Sequence, residues 1–210
     1  KSESNRALVI NALANGTIDN LSNLAEARDT QTMIRLLSEN GVEADVLDAG
    51  TTMRFLTAYY AVTGATKKMT GTPRMCERPI GILVDALRTL GADITYLNQE
   101  GYPPMQLNGF SFKGNREISI RGDVSSQFIS ALLMVAPLLP DGLKMQITGA
   151  LGSTPYIEMT LAQMKHFGIQ TSADWSKGTI EIPAQKYTLQ PFAVESDWSG
   201  ASYWYSMVAL

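Results

Sequence analysis

The sequence predicts an α/β domain built from repeated units, with buried helices surrounded by sheets. Three observations predict it. An amphipathic helical segment that runs into Gly and then into a strand-like segment recurs at Ala12–Gly16, Leu37–Gly41, Leu87–Gly91 and Lys165–Gly168. The apolar run Ile129–Ala136 places Phe128, Leu132 and Val135 on one helical face that anchors in a core. At 210 residues, 45% hydrophobic and 18% charged, the chain is long enough and apolar enough to bury that core.

The elements follow in order. A first helix begins at Ser2-Glu3-Ser4-Asn5, flanked by Lys1 and Arg6, and ends at Gly16. A second ends at Gly41 and gives way to a strand, Val42–Leu47. Asp48-Ala49-Gly50-Thr51-Thr52-Met53-Arg54 opens a third helix, and Gly71-Thr72-Pro73-Arg74 leads into a fourth, which closes at Gly91 before the strand Ala92–Leu97. Ile118–Arg121 is a short alternating strand ahead of the helix that starts in Gly122-Asp123-Val124-Ser125-Ser126-Gln127. Leu139–Gly142 is a turn, Leu143–Thr148 a strand, and the helix ending at Gly168 precedes strands at Ile169–Ser172 and Thr179–Ile182. Each helix-closing Gly is expected in the left-handed conformation. The spacing is irregular, which excludes a solenoid, and one domain is expected over residues 1–195. Residues 196–210 read as the start of something further. The chain begins at Lys1 without Met and stops inside an apolar stretch with no helix stop signal, so one part of a longer polypeptide is expected.

Composition narrows the function. A net charge of −3 argues against nonspecific nucleic-acid binding, which relies on broad positive surface. No apolar run is long enough to span a membrane. The single cysteine, Cys76, forms no internal disulfide, which fits a reducing, cytoplasmic setting. One His and one Cys give no metal cluster, and neither GxxxxGK[ST] nor GxGxxG occurs. His166 sits near a helix C-terminus, where the dipole favours a cation.

The candidate chemistry is anion binding. The first turn of a helix carries unpaired N–H groups and a partial positive charge, and Ser125, Ser126 and Gln127 add donors there. A plain Ser N-cap is the competing reading. Lys1, Arg6, Arg54 and Arg74 stand at or just before helix starts, where a cation opposes the dipole unless an anion offsets it. Singly, each is an ordinary surface charge; together they suit carboxylate or phosphate. Gly50 either caps its helix or lets a ligand approach the backbone.

These segments together resemble the 5-enolpyruvylshikimate-3-phosphate synthase family, the 3-phosphoshikimate 1-carboxyvinyltransferases. Six stretches carry the resemblance in family order: Lys1–Leu8, Ala49–Arg54, Pro73–Ile80, Val124–Phe128, Pro155–Ile157 and Val194–Tyr203. The resemblance implies two similar globular halves, each of three βαβαββ units, of which this chain is one half plus the lead into the other. It implies transfer of the enolpyruvyl group of phosphoenolpyruvate to shikimate 3-phosphate with release of phosphate, without cofactor or metal, by a protein that is monomeric at full length. It places Ser125, Ser126 and Ser153 on the ring phosphate. Lys1, Ser2, Arg6 and Tyr156 meet the shikimate moiety, and Lys1, Gly50, Arg74 and Gln127 meet phosphoenolpyruvate. Lys1 and Arg74 are the catalytic candidates from this half; Asp29 and Arg54 are further residues near the site. The family's acid–base carboxylate and lysine lie in the other half, so no turnover is expected of this chain alone.

Three departures stand out. Asp48 replaces a frequent Asn, Phe55 replaces Pro or Leu, and the connection from Gly41 to Asp48 is short, either because a strand pair is lost or because residues are missing from the sequence. The nearest rival is the UDP-N-acetylglucosamine enolpyruvyl transferase. Its reactive Cys precedes an Arg-Pro pair by five residues, whereas Cys76 precedes Arg78-Pro79 by two. A noncatalytic anion-binding module is the alternative from a different class.

Overall fold

The computed structural model of the chain describes residues 1–196 and 198–209. It opens with α1 (Ser2–Leu13), the short strand β1 (Leu21–Ser22) and α2 (Arg28–Ser38). A four-stranded unit follows: β2 (Glu43–Asp45), α3 (Gly50–Val62), β3 (Thr66–Thr70), the single turn α4 (Pro73–Cys76), α5 (Gly81–Leu90), β4 (Ala92–Tyr96) and β5 (Met105–Phe110). A second such unit comprises β6 (Glu117–Arg121), α6 (Ser126–Val135), β7 (Leu143–Thr148), α7 (Thr154–His166), β8 (Ser172–Asp174) and β9 (Thr179–Ile182). β10 (Phe192–Ala193) and α8 (Trp198–Val208) complete the described chain. Asp197, inside the segment Val194–Tyr203 quoted above, lies outside the described residues.

Two sheets share one strand order, β2-β3-β5-β4 and β6-β7-β9-β8. In each, the first two strands pair in parallel across a helix, and an antiparallel hairpin adds to the second strand. The third sheet is only the parallel pair β1–β10, with Leu21 opposite Phe192. β10, α1, β1 and α2 therefore repeat the start of the other units, but no hairpin follows. Residues 39–42 run from α2 straight to β2. The short connection seen in the sequence thus carries no strand pair in this unit, unlike the other two.

The helices explain why the repeat holds together. α1, α3 and α6 pack on one another; α2 bridges α1 and α3, α5 bridges α3 and α6, and α7 bridges α6 and α1. The inner helices are buried on nearly every side, Ser4–Asn11 in α1 and Phe128–Val135 in α6 without interruption; α6 is apolar almost all round, whereas α1 also buries Ser4, Asn5, Arg6 and Asn11. Leu132 is wholly buried, and its truncation to Ala costs about 2–5 kcal/mol by the usual cavity penalty. The outer α2 is two-faced: Thr30, Met33 and Leu36 face in, while Gln31, Arg35 and Ser38 face solvent at helical spacing.

Some expected boundaries move. The strand expected at Val42–Leu47 shrinks to β2, and the one expected at Ile169–Ser172 begins only at Ser172, because Ile169 N–H bonds back to Met164 O and extends the end of α7. Gly91 (φ 127°) and Gly168 (φ 86°) close their helices with positive φ, but Gly16 and Gly41 do not. After α1 it is Asn15 that turns left-handed (φ 58°), and α2 ends in the extended Glu39.

Candidate anion-binding site at the helix N-termini

Inner helices that each follow a first strand start at the same end of the molecule, and side chains tie those starts together. Gln127 at the start of α6 donates from Nε2 to Thr51 Oγ1 at the start of α3 (3.1 Å). Thr52 donates to the backbone carbonyl of Asp29 at the start of α2 (3.0 Å), and Asp29 Oδ2 lies 3.2 Å from Lys1 Nζ. Gly152 N–H bonds Gly122 O (3.0 Å), which sets the loop carrying Ser153 against the loop carrying Ser125. Ser2 and Tyr156 line a cleft of about 910 Å³ with Lys1, Glu3 and Glu195. Most of the residues expected at a site are therefore gathered at one end of the helix layer.

Arg6 sits just behind that cleft, only 2% exposed. Its Nε donates to Thr160 Oγ1 (2.6 Å), Nη2 to Ser130 Oγ (2.9 Å) and Nη1 to Ser2 O (3.0 Å). The rings of Phe55 and Tyr156 lie 5.2 and 5.7 Å from its guanidinium carbon. Phe55, an apparent departure in the sequence, thus supplies an aromatic face to a cation. Burial lowers the Arg6 pKa to about 10, which leaves the group charged at neutral pH.

A second cluster surrounds Gly50. Arg54 donates to Gly50 O (2.9 Å) and Pro79 O (3.1 Å), stacks over Phe128, and has a buried Nε with no partner. Burial, and secondarily the charge of Arg78, lower the Arg54 pKa to about 10. Arg74, Arg78, Met75 and Asp48 line a cavity of about 370 Å³. Gly50 does not open onto empty space: a Cβ there would stand 2.2 Å from Arg78 Nη1. The helix-cap reading of Gly50 is corrected, since Ala49 is the N-cap and Gly50 the first residue of α3, its Cα covered by the Arg78 guanidinium. Arg78 is the residue the sequence reading passed over; its signal was three arginines within Arg74–Arg88, of which only the first was weighed. Asp48 accepts a hydrogen bond from Thr72 Oγ1 (2.5 Å) and lies 3.8 Å from Arg28, so it lines the cavity beside Arg74 and Arg78 without ion-pairing either. Among the described residues, no carboxylate comes within 4.0 Å of Arg6, Arg54, Arg74 or Arg78.

The hydroxyls differ in their duties. Ser125 caps α6 by accepting the Gln127 N–H (3.3 Å), and Ser126 is nearly buried in the first turn. Ser153 stands at the N-cap of α7 with left-handed φ of 56° and makes no capping bond. Elsewhere, His166 Nε2 pairs with Pro191 O (3.0 Å) and Cys76 with Gly71 O (3.6 Å), so neither joins the cluster. No group of three or more potential metal ligands occurs among the described residues.

A family model described as EPSP synthase (3-phosphoshikimate 1-carboxyvinyltransferase) matches residues 38–210. The chain belongs to the EPSP synthase family. A 3-phosphoshikimate 1-carboxyvinyltransferase of Bacteroides fragilis is 53% identical over 211 residues, covering the whole of this chain and 50% of the relative. One from Sulfurovum sp. is 41% identical over 237 residues, covering the whole chain and 55% of the relative. The chain spans about half the length of the curated relatives it matches. The solved structure of EPSP synthase from Acinetobacter baumannii superposes with a TM-score of 0.77 at 21% identity, over 97% of this chain and 49% of the other. That likeness establishes the EPSP synthase fold, one half of it.

Proposed function

We propose that residues 1–195 form the shikimate 3-phosphate-binding half of a carboxyvinyltransferase, and that residues 196–210 lead into its second half. The observation that carries this reading is the cluster of arginines at joined helix starts with no carboxylate partner among the described residues. A protein that buries Arg6 and Arg54 without counter-charges incurs a desolvation cost, which a bound dianion and a carboxylate would offset. Ser125, Ser126 and the uncapped hydroxyl of Ser153 meet the ring phosphate. Lys1, Ser2, Arg6 and Tyr156 meet the ring and its carboxylate, and Lys1, Gly50, Arg74 and Gln127 meet phosphoenolpyruvate, with Arg54 and Asp29 holding neighbours in place. The exposed apolar residues of α8, Tyr203 (73%) and Trp204 (72%) among them, suit a segment that packs against more protein.

The reaction is addition followed by elimination. The 5-hydroxyl oxygen bonds to C2 of phosphoenolpyruvate as C3 takes up a proton, and the hydroxyl proton passes to a base. C3 then gives up a proton as the C2–O bond to phosphate breaks, which restores the double bond and frees inorganic phosphate. The balance needs no metal and no organic cofactor. Lys1 and Arg74 stabilise charge on the carboxylate and departing phosphate, and holding two anions side by side supplies much of the rate. The full-length enzyme is a cytoplasmic monomer on this reading; no helix among the described residues is long and apolar enough to cross a membrane. A steady-state assay of phosphate release tests it. The full-length protein turns over with both substrates, and residues 1–210 alone do not; turnover by residues 1–210 alone contradicts the division of labour.

A further inference from the structure

We propose that Ser130 and Thr160 are positioning residues that aim Arg6 at the carboxylate of the ring substrate without neutralising it. This rests on reading Arg6 as a ring-binding residue. The argument is a count of hydrogens. Arg6 Nε donates to Thr160 Oγ1 (2.6 Å) and Nη2 to Ser130 Oγ (2.9 Å), and the two hydroxyl oxygens are 2.9 Å apart. Thr160 has one hydroxyl proton and the carbonyl of Tyr156 lies 2.8 Å away, on the same helix. With that proton on Tyr156 O, Ser130 donates to Thr160. Thr160 then accepts twice and donates once, and Ser130 accepts once and donates once. The ring of three groups closes with every proton placed. All three side chains are nearly or wholly buried, so water does not compete.

The chemistry of the holders decides what Arg6 can do. An Asp or Glu in either place would grip the guanidinium more strongly but cancel its charge. Two hydroxyls fix its direction and leave the charge whole. Three of five N–H donors are used, counting the bond to Ser2 O, and one remains on each terminal nitrogen. A pair of free N–H groups on a fixed plane is what a carboxylate accepts. Thr160 lies 154 residues from Arg6, and Ser130 lies 124 away, so neither is marked by the local sequence.

Calorimetric titration of the full-length protein with shikimate 3-phosphate tests the proposal. Thr160→Val keeps the shape, removes the acceptor and weakens binding by ~10-fold or more, the worth of one hydrogen bond to a charged group. Thr160→Ser restores affinity to within ~3-fold of the original. In an Arg6→Ala background, Thr160→Val weakens binding no further, which a role confined to general packing would not produce. If Thr160→Val does not fold, Ser130→Ala carries the same test. Normal binding by Thr160→Val or Ser130→Ala beside weak binding by Arg6→Ala overturns the positioning role, as does additivity in the double variant. Normal binding by Arg6→Ala overturns the ring-binding reading beneath it.

Discussion

Gly50 and Arg78 define the tightest steric relation in the site. A methyl group at Gly50 would stand 2.2 Å from Arg78 Nη1 and 2.8 Å from Arg54 Nη1. Arg54 is pinned by two carbonyls, so Arg78, the end of a flexible chain, is the group that moves. Gly50→Ala is expected to raise the KM for phosphoenolpyruvate on the order of 10-fold, because small displacements of binding groups are costly, and to leave shikimate 3-phosphate affinity within ~3-fold. Steady-state kinetics with each substrate varied in turn checks it. Tyr187 supplies a second case. Its hydroxyl donates to Met134 O (2.8 Å) in the core, and Tyr187→Phe leaves that carbonyl unpaired at a cost of about 1–3 kcal/mol, measurable by urea unfolding at pH 7. At this scale the sequence exposed residue types and not their partners. Ser125, Arg74 and Gly50 stood out by their place at helix starts. Thr160, Ser130 and Arg78 did not, because a hydroxyl in an apolar helix and one cation among several look ordinary until the fold brings them together.

The elements carry a different lesson. β3 and β7 are paired on both sides, whereas among the described residues β1 and β10 pair only with each other. Backbone amides of Leu21 and Ser22 are therefore expected to exchange with solvent faster than those of Met69 in β3 and Met145 in β7, read by hydrogen–deuterium exchange. Equal protection would mean that another strand covers β1. Strands with alternating apolar residues were legible: β7 and β9 fall where the pattern puts them, and β4 and β6 within a residue. β3, Thr66–Thr70, was missed because two lysines sit in five residues, and Lys67 is buried with its Nζ over the Tyr60 ring (4.4 Å), an environment no local pattern reports. β1 and β10 were missed because two-residue strands 171 residues apart have no signature of their own. The helix at Ser126–Val135 was the easiest to read, since a Ser cap and an unbroken apolar run agree.

For the whole molecule, the threefold arrangement of helix pairs is what builds the proposed anion site. Three inner helices held against one another bring their positive ends together, and their first turns with the adjoining loops carry the arginines and serines. The repeat holds without a hairpin beside β1 because the six helices, not the sheets, close the ring. Burial also fixes an alkaline limit. It raises the pKa of Tyr60 and Tyr187 well above the ordinary value of 10, and that of Tyr96 to about 12. A raised tyrosine contributes stability that is complete below pH 10 and is lost as pH climbs toward the folded value, since only the unfolded chain ionises there. Stability measured by urea unfolding is expected to fall steadily from pH 10 to pH 12, and less so in Tyr96→Phe. The most direct test of the central claim is calorimetry of the full-length protein against two ligands. Shikimate 3-phosphate binds, and Ser125→Ala with Ser153→Ala abolishes most of that binding; binding of UDP-N-acetylglucosamine instead, or of neither ligand, contradicts the account.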